Sequence, residues 1–212
     1  MTTPFPKLRR NLVAILRGLR PDEALAVGTA VFEAGIEAIE VPLNSPDPFA
    51  SIQTLASTLP GNALVGAGTV LSPEDVERLH DAGGRLLVSP NIDPAVMAPA
   101  RRHAMVTMPG VFTPTEAFLA LSLGASALKF FPASALGPRG IAAIMAVLPK
   151  DAVIGAVGGV SEKDFSDYAK IGVRTFGLGS SLFAPGMSVD EVRQRANAAV
   201  AAWDSVFGGA PG

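Results

Sequence analysis

Eight short apolar runs recur along the chain and alternate with segments of helical character. The runs are mostly continuous rather than alternating, which is typical of parallel strands that are covered by helices. Each run and the segment after it take roughly 25 residues, the length of a compact βα unit. The predicted strands occupy residues 12–18, 38–43, 63–70, 85–90, 105–110, 127–132, 152–159 and 175–182.

The segments between the runs carry residues that are favoured at helix ends. One helix is predicted to begin at Pro21 and to end at Gly35, and Thr113 with Glu116 resembles a capping box. The last helix is predicted within residues 188–205. Strands and helices therefore alternate along the whole chain.

Eight βα units predict a single domain of the α/β class, spanning residues 1–212 and folded as a (β/α)8 TIM barrel with short loops. A doubly wound open sheet is the main structural alternative. No linker or low-complexity stretch divides the chain. Only the tail GGAPG, residues 208–212, is expected to fray.

Composition and charge exclude several classes of function. A formal net charge of -2 lacks the basic footprint of proteins that bind nucleic acid or acidic membranes. The chain has no cysteine for a disulfide or a thiolate metal site, and its two histidines cannot make a three-histidine site. Arg17 ends the first apolar run far short of a signal peptide core or a membrane span. We therefore expect a cytoplasmic protein without metal or cofactor.

Ligands of either candidate fold gather at the C-terminal ends of the strands, so polar residues there are candidates for a site. Two of the later strands end in small-residue turns, at 157–161 and 177–181. The polar candidates at the strand ends are Arg17, Glu40, Asn44, Thr69, Asn91 and Lys129.

Lys129 and Glu40 lie within apolar strands, where a charge is costly to bury without a partner. A buried ion pair of purely structural role is one interpretation. The other is chemical: a lysine among Leu128, Phe130 and Phe131 has a lowered pKa and attacks a carbonyl to form a Schiff base. A carboxylate such as Glu40 would then move the protons.

The glycine turns suit an anion. Gly158, Gly159, Gly179 and Ser180 would expose backbone N–H groups after the seventh and eighth strands, where barrels commonly bind phosphate. Glycines at strand ends also serve as plain turns.

Several other polar residues have a functional and a plain interpretation. Arg17 suits a carboxylate or phosphate, or snorkels at the surface. Thr69 could bind a carboxylate, or be an ordinary strand residue. His80 and His103 fall on helical segments and are expected to be solvated surface residues.

The runs VAILRG, EVPLNSP, GAGTVL, SPNI, LKFFP, VGGVS and GLGSSLF follow one another in this order across nearly the whole chain. They resemble the 2-keto-3-deoxy-6-phosphogluconate / 2-keto-3-deoxy-6-phosphogalactonate aldolase family. That resemblance implies a (β/α)8 barrel, usually a homotrimer, that uses a lysine Schiff base and no metal.

The resemblance also implies roles for the candidate residues. Lys129 would form the imine and Glu40 would donate and accept protons. Arg17 and Thr69 would take part in substrate binding. The phosphate would be held by Gly158, Gly159, Gly179 and Ser180.

Fewer residues distinguish the two branches of that family. The gluconate branch usually has an arginine after the strand that carries the glutamate, in a pattern like EVTLR, whereas this chain reads EVPLN and has Asn44 instead. That branch also tends to have a threonine immediately before the paired glycines, where this chain has Val157. Valine cannot hydrogen-bond, and the cation of this chain is Arg17 in the first strand, as in the galactonate branch.

We therefore expect reversible cleavage of 2-dehydro-3-deoxy-6-phospho-D-galactonate to pyruvate and D-glyceraldehyde 3-phosphate. The gluconate isomer, or use of both epimers, is the alternative. A phosphosugar isomerase or epimerase, with Glu40 as base and Lys129 as an electrostatic aid, is a rival from another class. A phosphate-ligand sensor without catalysis is the third.

Overall fold

The computed structural model describes residues 3–208. Residues 209–212, most of the tail predicted to fray, lie outside that range. The strands are β1 (Leu12–Ile15), β2 (Ala38–Pro42), β3 (Leu64–Gly68), β4 (Leu86–Val88), β5 (Val106–Met108), β6 (Gly110–Val111), β7 (Leu128–Phe130), β8 (Ile154–Val157) and β9 (Thr175–Leu178). The helices are α1 (Pro21–Ala34), α2 (Pro48–Thr58), α3 (Pro73–Asp81), α4 (Pro94–Arg102), α5 (Pro114–Ser122), α6 (Ala133–Met145), α7 (Phe165–Ala169) and α8 (Val189–Phe207).

The strands form one parallel sheet in the order β5-β4-β3-β2-β1-β9-β8-β7-β6. β5 and β6 are two parts of one predicted strand and follow each other directly across Pro109, which has no N–H for the ladder. β5 pairs with β4 while β6 pairs with β7, so the interrupted strand joins the two edges. The sheet is a nearly closed barrel, and the predicted α/β barrel is confirmed.

Several predicted strands were too long at their C-terminal ends. The prediction to residue 159 was wrong because Gly158 and Gly159 have φ of 90° and 70°, which a β-strand does not allow. The prediction to residue 182 was also wrong, since β9 ends at Leu178 and a turn follows. The residues thus removed from the strands form the loops around the mouth of the barrel.

The predicted ends of α1 and the predicted capping box are confirmed, whereas α8 continues to Phe207, two residues past the predicted segment. α1 spans Pro21–Ala34, and Gly35 ends it in the left-handed conformation with φ of 107°. The Thr113 side chain accepts from Glu116 N while the Glu116 carboxylate accepts from Thr113 N, which is a capping box.

Strand alternation divides the buried side chains into two layers. Odd residues of β1, such as Val13 and Ile15, pack in the lumen, whereas Leu12 and Ala14 pack beneath the helices. The outer layer holds most of the core. Within the residues that the structure describes, no helix combines the length and the apolar character that crossing a membrane requires.

Gly66 of β3 is a position where the barrel tolerates no side chain. It lies between Glu40 of β2 and Leu86 of β4, and a Cβ there would overlap the Leu86 carbonyl oxygen. We expect Gly66→Ala to lower the free energy of unfolding by about 2 kcal/mol or more, because backbone must move to admit the methyl group.

Urea unfolding followed by circular dichroism measures this change. Gly61→Ala is the matched control, since no atom lies within 4 Å of the added Cβ there. Equal stability of the two variants would contradict the proposed constraint on strand spacing.

Candidate active site

A cavity of about 380 Å³ opens at the C-terminal ends of β1, β2, β7, β8 and β9. Its polar part is made by Arg17, Glu40, Lys129 and the turns that follow β8 and β9. Its apolar wall includes Ile15, Phe131 and Val157. This size is within the range that binds small metabolites.

Lys129 lies in β7 between Leu128 and Phe130, which pack outward beneath the helices. Alternation therefore directs Lys129 into the lumen, where it is only 6% exposed. Its Nζ lies 4.5 Å from the centroid of the Phe131 ring. Burial lowers the pKa of Lys129 to about 8, while the negative charge of Glu40 raises it and the positive charge of Arg17 lowers it.

Glu40 enters the same lumen from β2, because its neighbours Ile39 and Val41 pack outward. Its side chain is 2% exposed, and burial raises its pKa to about 7, against the opposing effect of Lys129 and Arg17. Among the described residues, Glu40 Oε2 has no hydrogen-bond partner. An unpaired buried oxygen is costly to maintain, and one that faces a cavity is available to a ligand or a reacting proton.

Gly68 makes room for that carboxylate. It ends β3 opposite Pro42, and a Cβ at Gly68 would overlap both oxygens of Glu40. The glycine of the GAGT segment thus allows Glu40 to lie flat against the neighbouring strand.

The two small-residue turns meet on one side of the cavity. Gly158 and Gly159 both have positive φ, and a Cβ at Gly158 would contact the Phe131 ring at 2.9 Å. Gly179 has no atom within 4 Å of such a Cβ, so its backbone borders open space. Across the part of the chain that the structure describes, the N–H groups of Gly158, Gly159, Gly179 and Ser180 donate to no backbone or side-chain acceptor. Four free donors at one cavity wall suit an anion.

Arg17 lies at the cavity mouth just after β1. Its Nη1 donates to Asn44 Oδ1 at 2.5 Å, which joins the loops after β1 and β2. The structure thus brings together eight of the nine residues predicted for the site: Lys129, Glu40, Arg17, Val157, Gly158, Gly159, Gly179 and Ser180.

Thr69 is the ninth predicted residue and does not line this cavity. It follows β3 with φ of 56°, a left-handed conformation that is uncommon for threonine. Asn91 also lies outside the lining, and its carbonyl accepts from the Ser89 hydroxyl. The role predicted for Thr69 stays a prediction.

The two histidines lie away from the cavity. His80 on α3 and His103 after α4 stack with ring centroids 3.9 Å apart, and Glu77 contacts His103 Nε2 at 2.6 Å. They join two outer helices and are not among the residues that line the cavity.

Part of the cavity wall was not predicted from the sequence. Phe183, Ala184 and Pro185 line the cavity from the loop between β9 and α8. Pro185 packs over Gly18, and a Cβ added at Gly18 would lie 2.5 Å from the Cγ of Pro185. Phe183 closes the run GLGSSLF that carries the family resemblance, while for Ala184 and Pro185 only their position after the last strand could have indicated a role.

Comparison with known proteins gives consistent results. The family model described as "Aldolase: KDPG and KHG aldolase" matches residues 7–197. A probable 2-dehydro-3-deoxy-6-phosphogalactonate aldolase of Rhizobium meliloti (strain 1021) is 63% identical over 206 residues, covering 97% of each chain. The 2-dehydro-3-deoxy-6-phosphogalactonate aldolase of Escherichia coli (strain K12) is 48% identical over 192 residues, covering 91% of this chain and 94% of that protein.

A solved structure described as native KDPGal is similar in its whole fold. It superposes with a TM-score of 0.94 at 45% identity, covering 97% of this chain and 99% of that one. The match of the family model over most of the chain, the two similar relatives and this structure agree. The chain belongs to the KDPG and KHG aldolase family.

Proposed function

We propose that the protein reversibly cleaves 2-dehydro-3-deoxy-6-phospho-D-galactonate into pyruvate and D-glyceraldehyde 3-phosphate. The observation that carries this proposal is a buried lysine of lowered pKa and a buried carboxylate of raised pKa in one lumen, beside four free backbone donors. Both relatives described above are named for this substrate. A class I aldolase needs this combination of nucleophile, proton carrier and anion site.

Lys129 begins the reaction as a neutral amine. Its Nζ attacks the C2 carbonyl carbon, the carbonyl oxygen takes up a proton, and the nitrogen loses one to give a carbinolamine. Loss of the C2 hydroxyl as water then leaves a protonated imine. Glu40 carries the protons in these steps, and its pKa of about 7 lets it both donate and accept near neutrality.

The protonated imine then accepts electrons. The C4 hydroxyl loses its proton, the C3–C4 bond breaks, and its electron pair moves toward nitrogen to give an enamine. D-glyceraldehyde 3-phosphate leaves as the aldehyde. Protonation of the enamine at C3 and hydrolysis of the imine release pyruvate and restore the Lys129 amine.

The phosphate group fixes the substrate at its far end. The N–H groups of Gly158, Gly159, Gly179 and Ser180 are assigned to its oxygens, because they border the cavity and lack protein acceptors. Arg17 is assigned to a charged or hydroxyl group at the mouth. Thr69 remains a proposed substrate contact on the basis of the family resemblance.

Val157 is the residue from which we infer the preferred configuration at C4 of the substrate. Its side chain lines the cavity beside Ile15 and Phe131 and offers no hydrogen bond. A threonine at this position in the gluconate branch would supply a hydroxyl. We therefore assign the galactonate configuration at C4 to this chain, with the gluconate epimer as the alternative.

Assay of the two epimeric phosphorylated substrates side by side tests this assignment. The wild-type enzyme is expected to have the higher kcat/KM for the galactonate substrate. Val157→Thr is expected to shift the ratio toward the gluconate substrate by about 5-fold, the effect of one gained hydrogen bond. Val157→Ala is the control for lost bulk and should not favour gluconate. A wild-type preference for gluconate would overturn the assignment.

The charges around Lys129 predict two opposite shifts in pH dependence. Glu40 raises the pKa of Lys129, so Glu40→Gln should lower that pKa below about 8 and extend imine formation to lower pH. Arg17 lowers the pKa, so Arg17→Met should raise it and confine imine formation to higher pH. The measurement is the pH midpoint of pyruvate-dependent inactivation by borohydride rather than its absolute rate, because Glu40→Gln also removes the proton carrier and slows the reaction at every pH. Shifts of the same sign in both variants would contradict the electrostatic account.

We also propose that residues 1–212 form one domain that assembles into a homotrimer in the cytoplasm. One sheet contains every described strand, and α1 packs against α8, which joins the two ends of the chain. A charged phosphate ester does not cross an apolar bilayer unaided, so we place the enzyme in the compartment where its substrate is phosphorylated.

The proposed interface is an exposed apolar group in α5 and just before it. It consists of Phe112, Phe118 and Leu119, which are 40%, 47% and 38% exposed.

Light scattering tests the assembly. The wild-type protein is expected to have a molar mass three times that of the chain. Phe118→Glu is expected to lower the measured mass, because it places a charge in the interface. Val147→Glu changes an exposed apolar residue outside this group and should leave the mass unchanged. A monomeric wild-type protein would refute the trimer.

A further inference from the structure

The turn after β9 is wound like the start of a helix. The Gly179 carbonyl oxygen accepts hydrogen bonds from Leu182 N at 2.8 Å and Phe183 N at 2.9 Å. The amides of Ser180 and Ser181 precede these donors and correspond to the unpaired first amides of a helix. Neither of them donates to a protein acceptor within residues 3–208.

Arg195 holds the outer side of this turn. It lies in α8, and its Nη1 donates to the carbonyl oxygen of Ser180 at 3.2 Å and more weakly to that of Ser181 at 3.5 Å. In a trans peptide the C=O and the following N–H point in opposite directions. With the Ser180 carbonyl directed at α8, the N–H of Ser181 must therefore point away from that helix.

Ser181 fixes the same turn from a second direction. Its hydroxyl donates to the Val160 carbonyl oxygen at 3.2 Å, which ties the turn after β9 to the turn after β8. Val160 lines the cavity, as do Gly158 and Gly159 before it. The turn after β9 is thus held from outside by a side chain on α8, and a hydroxyl bond ties it to the turn after β8.

We propose that Arg195 is a positioning residue for the phosphate group of the substrate, acting through the Ser180–Ser181 peptide, which directly follows the assigned donors Gly179 and Ser180 in the same turn. This inference rests on the proposed function, because it assumes that the turn binds phosphate. Arg195 does not line the cavity and reaches the ligand only through the backbone. Preorganised backbone donors bind an anion more tightly than donors that must first be turned into place.

The test compares Arg195→Met with Arg195→Lys. Arg195→Met should raise KM for the phosphorylated substrate, and the inhibition constant of inorganic phosphate, by about 3- to 10-fold, the effect of a lost hydrogen bond from a charged donor. Turnover at saturation should stay near the wild-type value, since Lys129 and Glu40 are untouched. Arg195→Lys retains a cationic donor and should recover part of the loss.

Arg193→Met is the matched control on the same helix. Its guanidinium pairs with Glu33 of α1 at 2.8 Å and does not contact the turn. This variant should leave both constants unchanged. Reductive trapping of pyruvate, which has no phosphate, should be the same in all three variants and in the wild type.

An unchanged phosphate inhibition constant in Arg195→Met would overturn the proposal. So would an equal loss of pyruvate trapping, because it would indicate general damage rather than a misplaced turn. Failure of the proposed function would be seen differently, as a wild-type enzyme that neither cleaves the substrate nor is inhibited by phosphate.

Discussion

The removal of water from the Lys129 ammonium group is the constraint on which the site depends. An unpaired charge in a protein interior is strongly disfavoured, and the group responds by giving up its proton more readily. For Lys129 this desolvation outweighs the attraction of Glu40, and the cation at Arg17 adds to it, so its pKa is lowered to about 8. The same constraint raises the pKa of Glu40 to about 7. Near neutral pH both groups therefore have a usable uncharged fraction, whereas in water both would be almost fully charged.

The barrel produces this environment by strand alternation. Leu128 and Phe130 point into the layer beneath the helices, and Lys129 between them has no direction left except the lumen. Glu40 is directed in the same way by Ile39 and Val41. Parallel strands bring their C-terminal ends to one edge, so the turns after β8 and β9 border the lumen that holds Lys129. The fold therefore places the Lys129 amine, which is surrounded by apolar side chains, beside the backbone donors of these two turns.

Much of this arrangement follows from the sequence, because its signals are local. Continuous apolar runs predict buried parallel strands, and the charge in LKF or in IEV is conspicuous for that reason. The glycines that follow β8 and β9 mark the turns correctly, although the length of the apolar runs overestimated the length of these strands. The backbone φ becomes positive at Gly158 and so ends the strand. A run of apolar and small residues does not reveal where that change occurs.

The remaining features depend on contacts between distant parts of the chain. Nothing near Arg195 in the sequence indicates that its guanidinium reaches the Ser180 carbonyl, and Pro185 reaches the cavity only because its loop folds back over Gly18. Gly68 is similar: the need for glycine there comes from the carboxylate of Glu40 on the neighbouring strand. Such constraints arise from tertiary packing, which hydrophobic periodicity does not encode.

Lys129, rather than another lysine, serves as the nucleophile because burial lowers its pKa. The chain has four other lysines, Lys7, Lys150, Lys163 and Lys170, and all four are exposed. Borohydride reduction in the presence of pyruvate at neutral pH, followed by peptide mass spectrometry, compares all five amines in one experiment. We expect a pyruvyl adduct on Lys129 alone, although it is buried, and none on the four accessible amines. An unmodified Lys129, or an adduct distributed over the exposed lysines, would contradict this assignment of the nucleophile.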